Sequence, residues 1–271
     1  MRLDSRMFEQ GLTPSREKAR SLIMAGKVSV DGKLAQKPGM EVKENATISI
    51  AEDPVPFVSR GGLKLQKAIS VFELDVNGLV AADIGASTGG FTDCMLQHDA
   101  QKVYALDVGY GQLDWKLRCD PRVVVMERTN ARNMKPDWFD PLPSFASIDV
   151  SFISLKLMLE PLYACLTEQS YVVALIKPQF EAGRAEVGKH GVVRDIEVHR
   201  DVCLRVIGQA AEFGFSFCGL SFSPVTGPKG NIEFLSLFRK NSPPVTQLPA
   251  IKELVFDTTS QAHSSLIGRD G

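Results

Sequence analysis

No stretch of this chain stays apolar for the ~18 residues that a bilayer-spanning helix needs, and the opening M-R-L-D-S-R-M-F-E-Q lacks the apolar core of a secretory signal. Cysteine is sparse. Cys94, Cys119, Cys165, Cys203 and Cys218 are odd in number, and no two stand in a C-x-x-C spacing, which excludes a disulfide framework and a cysteine zinc site. The four histidines, His98, His190, His199 and His263, form no H-E-x-x-H pattern. These absences lead to the expectation of a reduced, cytoplasmic protein with no metal.

Charge is nearly balanced, with 31 Lys and Arg against 32 Asp and Glu in 271 residues, but it is unevenly placed. Residues 1–50 hold nine basic and six acidic side chains and the remainder is mildly acidic. A small basic segment on a larger body suits a polyanion-binding arm, although ordinary surface charge gives the same sum.

The segment reads as a compact α+β unit. Leu3 and Met7 share one side of a first short helix. T-P-S-R-E-K-A-R-S-L-I-M-A places Thr13 as cap and Pro14 at the first position of a second helix, which Gly26 ends. K-V-S-V-D-G-K is a strand running into a D-G hairpin turn, and A-T-I-S-I is another strand. Arg16 and Arg20 share a helical face, with Lys18 between them, and the hairpin adds Lys27 and Lys33. Such cations suit phosphate binding or a plain solvated face. The two prolines of A-E-D-P-V-P-F-V mark a linker over 53–58 between a domain at 1–52 and one at 59–240.

S-R-G-G opens a helix with Leu63, Ala68, Val71 and Phe72 at helical spacing. Apolar runs then alternate with helical stretches: L-V-A-A-D-I, K-V-Y-A-L-D, R-V-V-V-M, F-A-S-I-D-V and Y-V-V-A-L-I. F-S-F-C-G-L-S-F and N-I-E-F-L-S-L-F close the series as an antiparallel pair. The pattern is that of an α/β, Rossmann-like doubly wound sheet, which binds ligands at the carboxyl ends of its strands. Residues 241–271, with S-P-P-V-T and one apolar turn at I-K-E-L-V-F, read as a loosely ordered tail of unassigned role.

The first strand of this domain runs into Asp83-Ile84-Gly85-Ala86-Ser87-Thr88-Gly89-Gly90-Phe91. The spacing departs from the G-x-G-x-x-G of dinucleotide sites. Asp83 suits a ligand with an amino group, and Asp107, at the end of the next strand, suits the hydroxyls of an adenosine ribose. S-adenosylmethionine carries both features. Helix capping by Asp83 and simple packing by Gly89 and Gly90 are the plainer readings.

Lys64, Asp149, Lys177 and Glu233 fall on a helix, at two strand ends and within an apolar run. Buried singly, each is expensive, and clustered they satisfy one another. Snorkelling to water is the alternative, a poor one for Glu233. The cluster suits methyl transfer to a ribose 2′-hydroxyl, with a lysine accepting the proton. A neighbouring ammonium favours a neutral amine and neighbouring carboxylates a charged one, so the carboxylates read better as orienting groups.

These motifs resemble the TlyA family, the hemolysin-A-named ribosomal RNA 2′-O-methyltransferases. The likeness lies in L-D-S-R, S-R-G-G-L-K-L, D-I-G-A-S-T-G-G-F-T-D-C, A-L-D-V-G-Y-G-Q-L, S-I-D-V-S-F-I-S-L, L-I-K-P-Q-F-E and G-P-K-G-N-I-E-F-L, over about residues 1–240. The resemblance implies an RNA-binding module like that of ribosomal protein S-four and an FtsJ/RrmJ-like class I methyltransferase domain. It implies a Lys-Asp-Lys-Glu tetrad at Lys64, Asp149, Lys177 and Glu233, an S-adenosylmethionine motif from Asp83 through Phe91, and a ribose ligand at Asp107, with Asp149 beside the cofactor. It extends the RNA-binding set to Arg6 and Arg60, and makes cytidines of ribosomal RNA the substrate, those of the large subunit favoured over the small because the chain begins close to the module. The loop G-R-A-E-V-G-K-H-G-V-V-R-D is family-like, and Arg184, Lys189 and Arg194 are either RNA contacts or plain loop residues. The rival readings are a membrane-active haemolysin, a nucleotide-dependent oxidoreductase and a noncatalytic RNA-binding protein.

Overall fold

The structure is a computed structural model. It describes all residues except 14, 25, 26, 36, 45, 51–55, 228, 243–247 and 267–271. It divides into two compact units, Met1–Pro56 and Phe57–Gly271. Residues 53–55 of the expected linker, with Pro14 and Gly26, lie outside the described residues.

In the first unit, α1 (Leu3–Glu9) and α2 (Arg16–Met24) pack on a three-stranded sheet of β1 (Val28–Val30), β2 (Lys33–Leu34) and β3 (Ile48–Ile50), in the order β2-β1-β3. Leu3 and Met7 meet Ala19, Ile23 and Val28 in its core. Asp31 and Gly32 both take positive φ, as a two-residue hairpin turn of the primed kind requires. Thr13 does not cap α2. The helix starts at Arg16, and the Ser15 hydroxyl accepts from the Lys18 amide at 3.1 Å, two residues later than the T-P signal suggests. The buried Asp4 carboxylate accepts from Arg2 (2.8 and 3.0 Å) and Arg20 (3.1 Å), and Arg16 stands 4.0 Å away. The Arg2 hydrogen bonds above all hold that carboxyl well below the usual range.

The second unit opens with α3 (Gly61–Val71), whose buried stripe is Gly62, Leu65, Ala68 and Ile69. Val71, expected on that stripe, is exposed. There follow β4 (Val80–Ile84), α4 (Gly90–Gln97), β5 (Lys102–Leu106), α5 (Trp115–Arg118), β6 (Val123–Met126), β7 (Phe145–Ile148), α6 (Lys156–Cys165), β8 (Tyr171–Ile176), α7 (Pro178–Glu181), α8 (Ile196–Glu212), β9 (Phe215–Phe222) and β10 (Phe234–Lys240). The seven-stranded sheet has the order β6-β5-β4-β7-β8-β10-β9. Its first five strands are parallel, and β10 runs antiparallel to both β8 and β9. The chain leaves β4 for β5 on one side and returns to β7 on the other, which opens a crevice at their carboxyl ends.

Residues 248–266 are not a loose tail. Leu248–Leu266 is a nineteen-residue helix, α9, that buries Val255, Thr258, Thr259 and Ala262 against α8 and β9. Its buried face carries two threonines, which dilute the apolar signal. The Thr259 hydroxyl donates to the Val255 carbonyl at 2.8 Å and accepts from Arg200 at 3.2 Å, so it is satisfied without water. The Arg200 guanidinium also lies 3.9 Å from the centroid of the Phe256 ring.

Candidate active site

The turn after β4 is shaped by close contacts. Gly85 has φ +87°, and a Cβ there would stand 2.6 Å from the Asp149 carbonyl oxygen, so any side chain would push β7 away. A Cβ at Gly90 would lie 2.8 Å from the Gly62 amide nitrogen, and that close approach sets the amino end of α4 against that of α3.

Two cavities meet along this turn. The smaller, about 180 Å³, is polar and bounded by Gly61, Ala86, Thr88, Phe91, Ser151 and Lys177 among others. The larger, about 460 Å³, runs past Asp107 to the apolar side chains of Val108, Val150, Ile153 and Met158. Gly85, Ser87, Asp149 and Ser151 border both. The Asp107 carboxylate accepts from the backbone amides of Ser87 (2.8 Å) and Gly109 (2.6 Å). Each of its oxygens keeps acceptor capacity for a further donor. An apolar slot with a carboxylate on its rim, continuous with a small polar chamber, fits a nucleoside joined to a short zwitterionic chain, the outline of S-adenosylmethionine.

Asp83 stands elsewhere than a ligand contact would need. It is fully buried, accepting from the hydroxyls of Thr92 (2.7 Å) and Ser147 (3.1 Å), and borders neither cavity. Burial pushes its carboxyl up to about 7, against the pull of those hydroxyls. It ties α4 to β7 behind the turn. Gly89 likewise packs on Leu113 and Leu117, away from both cavities.

Lys64, Asp149, Lys177 and Glu233 converge. Lys177 Nζ lies 2.5 Å from Asp149 Oδ1, and Lys64 Nζ lies 3.8 Å from Asp149 Oδ2 and 2.7 Å from Glu233 Oε2. Lys64 comes from the second turn of α3, while Asp149 and Lys177 directly follow β7 and β8. Glu233 precedes β10 rather than lying inside it, and is 2% exposed. The cluster alternates in sign and sums to zero. Stripping one partner from such a buried pair costs about 3–5 kcal/mol, so all four form one unit. Two neighbours escaped the sequence reading. The Ser151 hydroxyl accepts from Lys177 at 2.9 Å, and the Gln179 amide donates to Glu233 at 3.2 Å. Both lie within two residues of a tetrad member, which was the available signal. Phe152 was missed as well. It is 89% exposed with φ +63°, borders the larger cavity and touches Phe180 at 4.9 Å between centroids.

The basic candidates divide. Lys18 and Lys33 are exposed, and Arg16 and Arg20 share the Asp4 carboxylate while remaining half exposed. Arg6 donates to the Glu44 carbonyl at 2.5 Å, and Lys27 is half-buried. Arg60, Arg184, Lys189 and Arg194 are exposed in the second unit. Among the described residues no helix is long and apolar enough to cross a membrane.

Residues 57–240 match the FtsJ-like methyltransferase family, and residues 1–48 match the S4 domain. YqxC of Bacillus subtilis (strain 168) is 53% identical over 235 residues, covering 86% of this chain and 84% of its own. The 16S/23S rRNA (cytidine-2′-O)-methyltransferase TlyA of Mycobacterium tuberculosis (strain CDC 1551 / Oshkosh) is 40% identical over 261 residues, covering 96% of this chain and 97% of its own. A solved Streptococcus thermophilus chain named for a hemolysin superposes with TM-score 0.79 at 47% identity, covering 100% of this chain and 98% of its own. The glycine turn at the sheet crevice, the ion-pair cluster beside it and these matches agree: the chain belongs to the FtsJ-like methyltransferase family.

Proposed function

We propose that the protein transfers the methyl group of S-adenosylmethionine to the 2′-hydroxyl of a cytidine in ribosomal RNA. The observation that carries the reading is the placement of the balanced Lys-Asp-Lys-Glu cluster at the border of a nucleoside-shaped cavity and a small polar one. S-adenosylmethionine supplies a methyl group on a sulfonium that departs as a neutral thioether. Asp107 receives the ribose hydroxyls, and Gly85 through Thr88, with Gly90, line the polar chamber.

Asp149 and Ser151 aim Lys177 Nζ into the smaller cavity, where the amine, having first released its own extra proton to solvent, takes the hydroxyl proton as the new O–C bond forms. Lys64, anchored by Glu233, keeps the second amine beside Asp149 and orients the attacking oxygen. Much of the rate comes from alignment. The exposed ring of Phe152 offers a face on which the target base can stack, worth ~1–3 kcal/mol. The S4 domain grips the surrounding RNA.

Expected exclusions follow from the same reading: no metal takes part, no membrane is a partner, and the protein works in the cytoplasm. The test is incubation of the purified protein with labelled S-adenosylmethionine and 16S rRNA, 23S rRNA or the corresponding subunits. Label on the 2′-oxygen of a cytidine is expected. Label on a base, or cofactor binding with no label in any RNA, overturns the reading.

A further inference from the structure

Beyond the tetrad, a third cavity of about 470 Å³ opens on the second unit. Among the described residues three cations border it, Arg60, Arg194 and Lys229, and no acidic residue does. All three are exposed, and among the described residues none is in an ion pair. Asp195, next to Arg194, is occupied with capping α8, where it accepts from the Glu197 amide at 2.9 Å.

The pocket is held in shape by a buried side chain. Asn231, 4% exposed, donates from Nδ2 to the Gly191 carbonyl at 2.9 Å and accepts at Oδ1 from the Val193 amide at 3.0 Å. Its own carbonyl accepts from the Gly227 amide at 2.9 Å. One asparagine therefore staples the loop bearing Arg194 to the loop bearing Lys229. Leu266, near the end of the described part of α9, supplies an apolar wall. Like charges collected around a fixed concavity repel one another and raise the local concentration of anions.

The walls also connect to the chemistry. Arg60 immediately precedes α3, about one turn ahead of Lys64, and Ile232 on the pocket wall adjoins Glu233. An anion seated here lies beside the two chain segments, 60–64 and 232–233, that carry half of the tetrad. We propose that this pocket is a phosphate subsite, in which Arg60, Arg194 and Lys229 bind a backbone phosphodiester of the RNA substrate and set the register of the target nucleotide. Phosphate contacts position a nucleic acid without reading its sequence, and the paired donors of arginine suit a phosphate.

The inference rests on the function proposed above. The test compares the parent with the double variant Arg194→Ala/Lys229→Ala, leaving Arg60 in place because it abuts the helix of Lys64. Binding of 23S rRNA and of large subunits is measured from low to high salt, together with methyl-transfer kinetics and S-adenosylmethionine affinity. The expected result is a salt slope reduced by about one, a KM for RNA raised about tenfold, and unchanged kcat and cofactor affinity. A parental slope and KM overturn the subsite while leaving the methyltransferase reading intact. A parent that transfers no methyl group to any RNA overturns that reading instead. Should the double variant not fold, Lys229→Glu alone is scored on the same slope.

Discussion

Lys177 carries the sharpest test of a single side chain. If its amine takes the hydroxyl proton, Lys177→Ala lowers methyl transfer by about 100- to 10,000-fold, the usual share of a positioned base. S-adenosylmethionine affinity, measured by calorimetry, stays within a few-fold, because Lys177 does not border the nucleoside cavity. Turnover near the parental rate would remove Lys177 from the role. The tetrad was legible in the sequence because each member is a charged residue in or beside an apolar run, where an unpaired charge is costly. Asp83 was legible for the same reason but assigned differently. Two hydroxyls already occupy its carboxylate, and no sequence pattern tells a buried carboxylate that braces a turn from one that meets a ligand. Phe152 carried no signal either, since an aromatic after a strand is ordinarily core.

At the scale of elements, α9 makes a prediction about pH. His199 is buried on α8, its Nδ1 2.8 Å from Nε2 of His263 on α9. Burial first, and then the neighbouring His263, push His199 down to about 4. Asp195 pulls both imidazoles the other way, and Arg200 adds to the downward push on His263. The unfolded chain therefore takes up a proton near pH 6.5, before the folded one does. The stability due to neutral His199 is complete above that value, and up to roughly 3 kcal/mol of it is lost as pH falls to about 4. The Asp83 carboxyl, raised to about 7, acts oppositely: its contribution is complete below about 4 and lost as pH rises to 7. The two contributions oppose each other between pH 7 and 4, so the His199 part is read by difference: as pH goes from 8 to 4, the melting temperature of the parent should fall relative to that of His199→Phe. A difference that does not change with pH would mean that His199 makes no such contribution. The helix itself was hidden because threonine and serine are weak helix formers and its buried face mixes Val255 and Ala262 with two threonines.

For the whole molecule, the proposed division of labour predicts that removing residues 1–56 weakens RNA binding far more than S-adenosylmethionine binding. The lost affinity should be the salt-dependent part, since Lys18, Lys33 and the arginines around Asp4 are what that unit offers to phosphates. Calorimetry with the cofactor and a salt series with RNA measure the two, and comparable losses in both would contradict separate roles.

What the sequence determined alone is local in origin. Apolar runs punctuated by glycine and proline place strands and turns within a few residues of one another, and side-chain periodicity acts over the same distance. The doubly wound sheet, the glycine turn after β4 and the small α+β unit were legible for that reason. Tertiary structure alone decided which side chains share a space. Lys64 and Glu233 are 169 residues apart yet form a hydrogen-bonded ion pair, Asp83 faces inward while Asp107 faces a cavity, and Arg60, Arg194 and Lys229 border one pocket. Those proximities follow from the order in which strands pair and helices dock, a long-range outcome of burying the whole apolar surface at once, which no short window of residues contains.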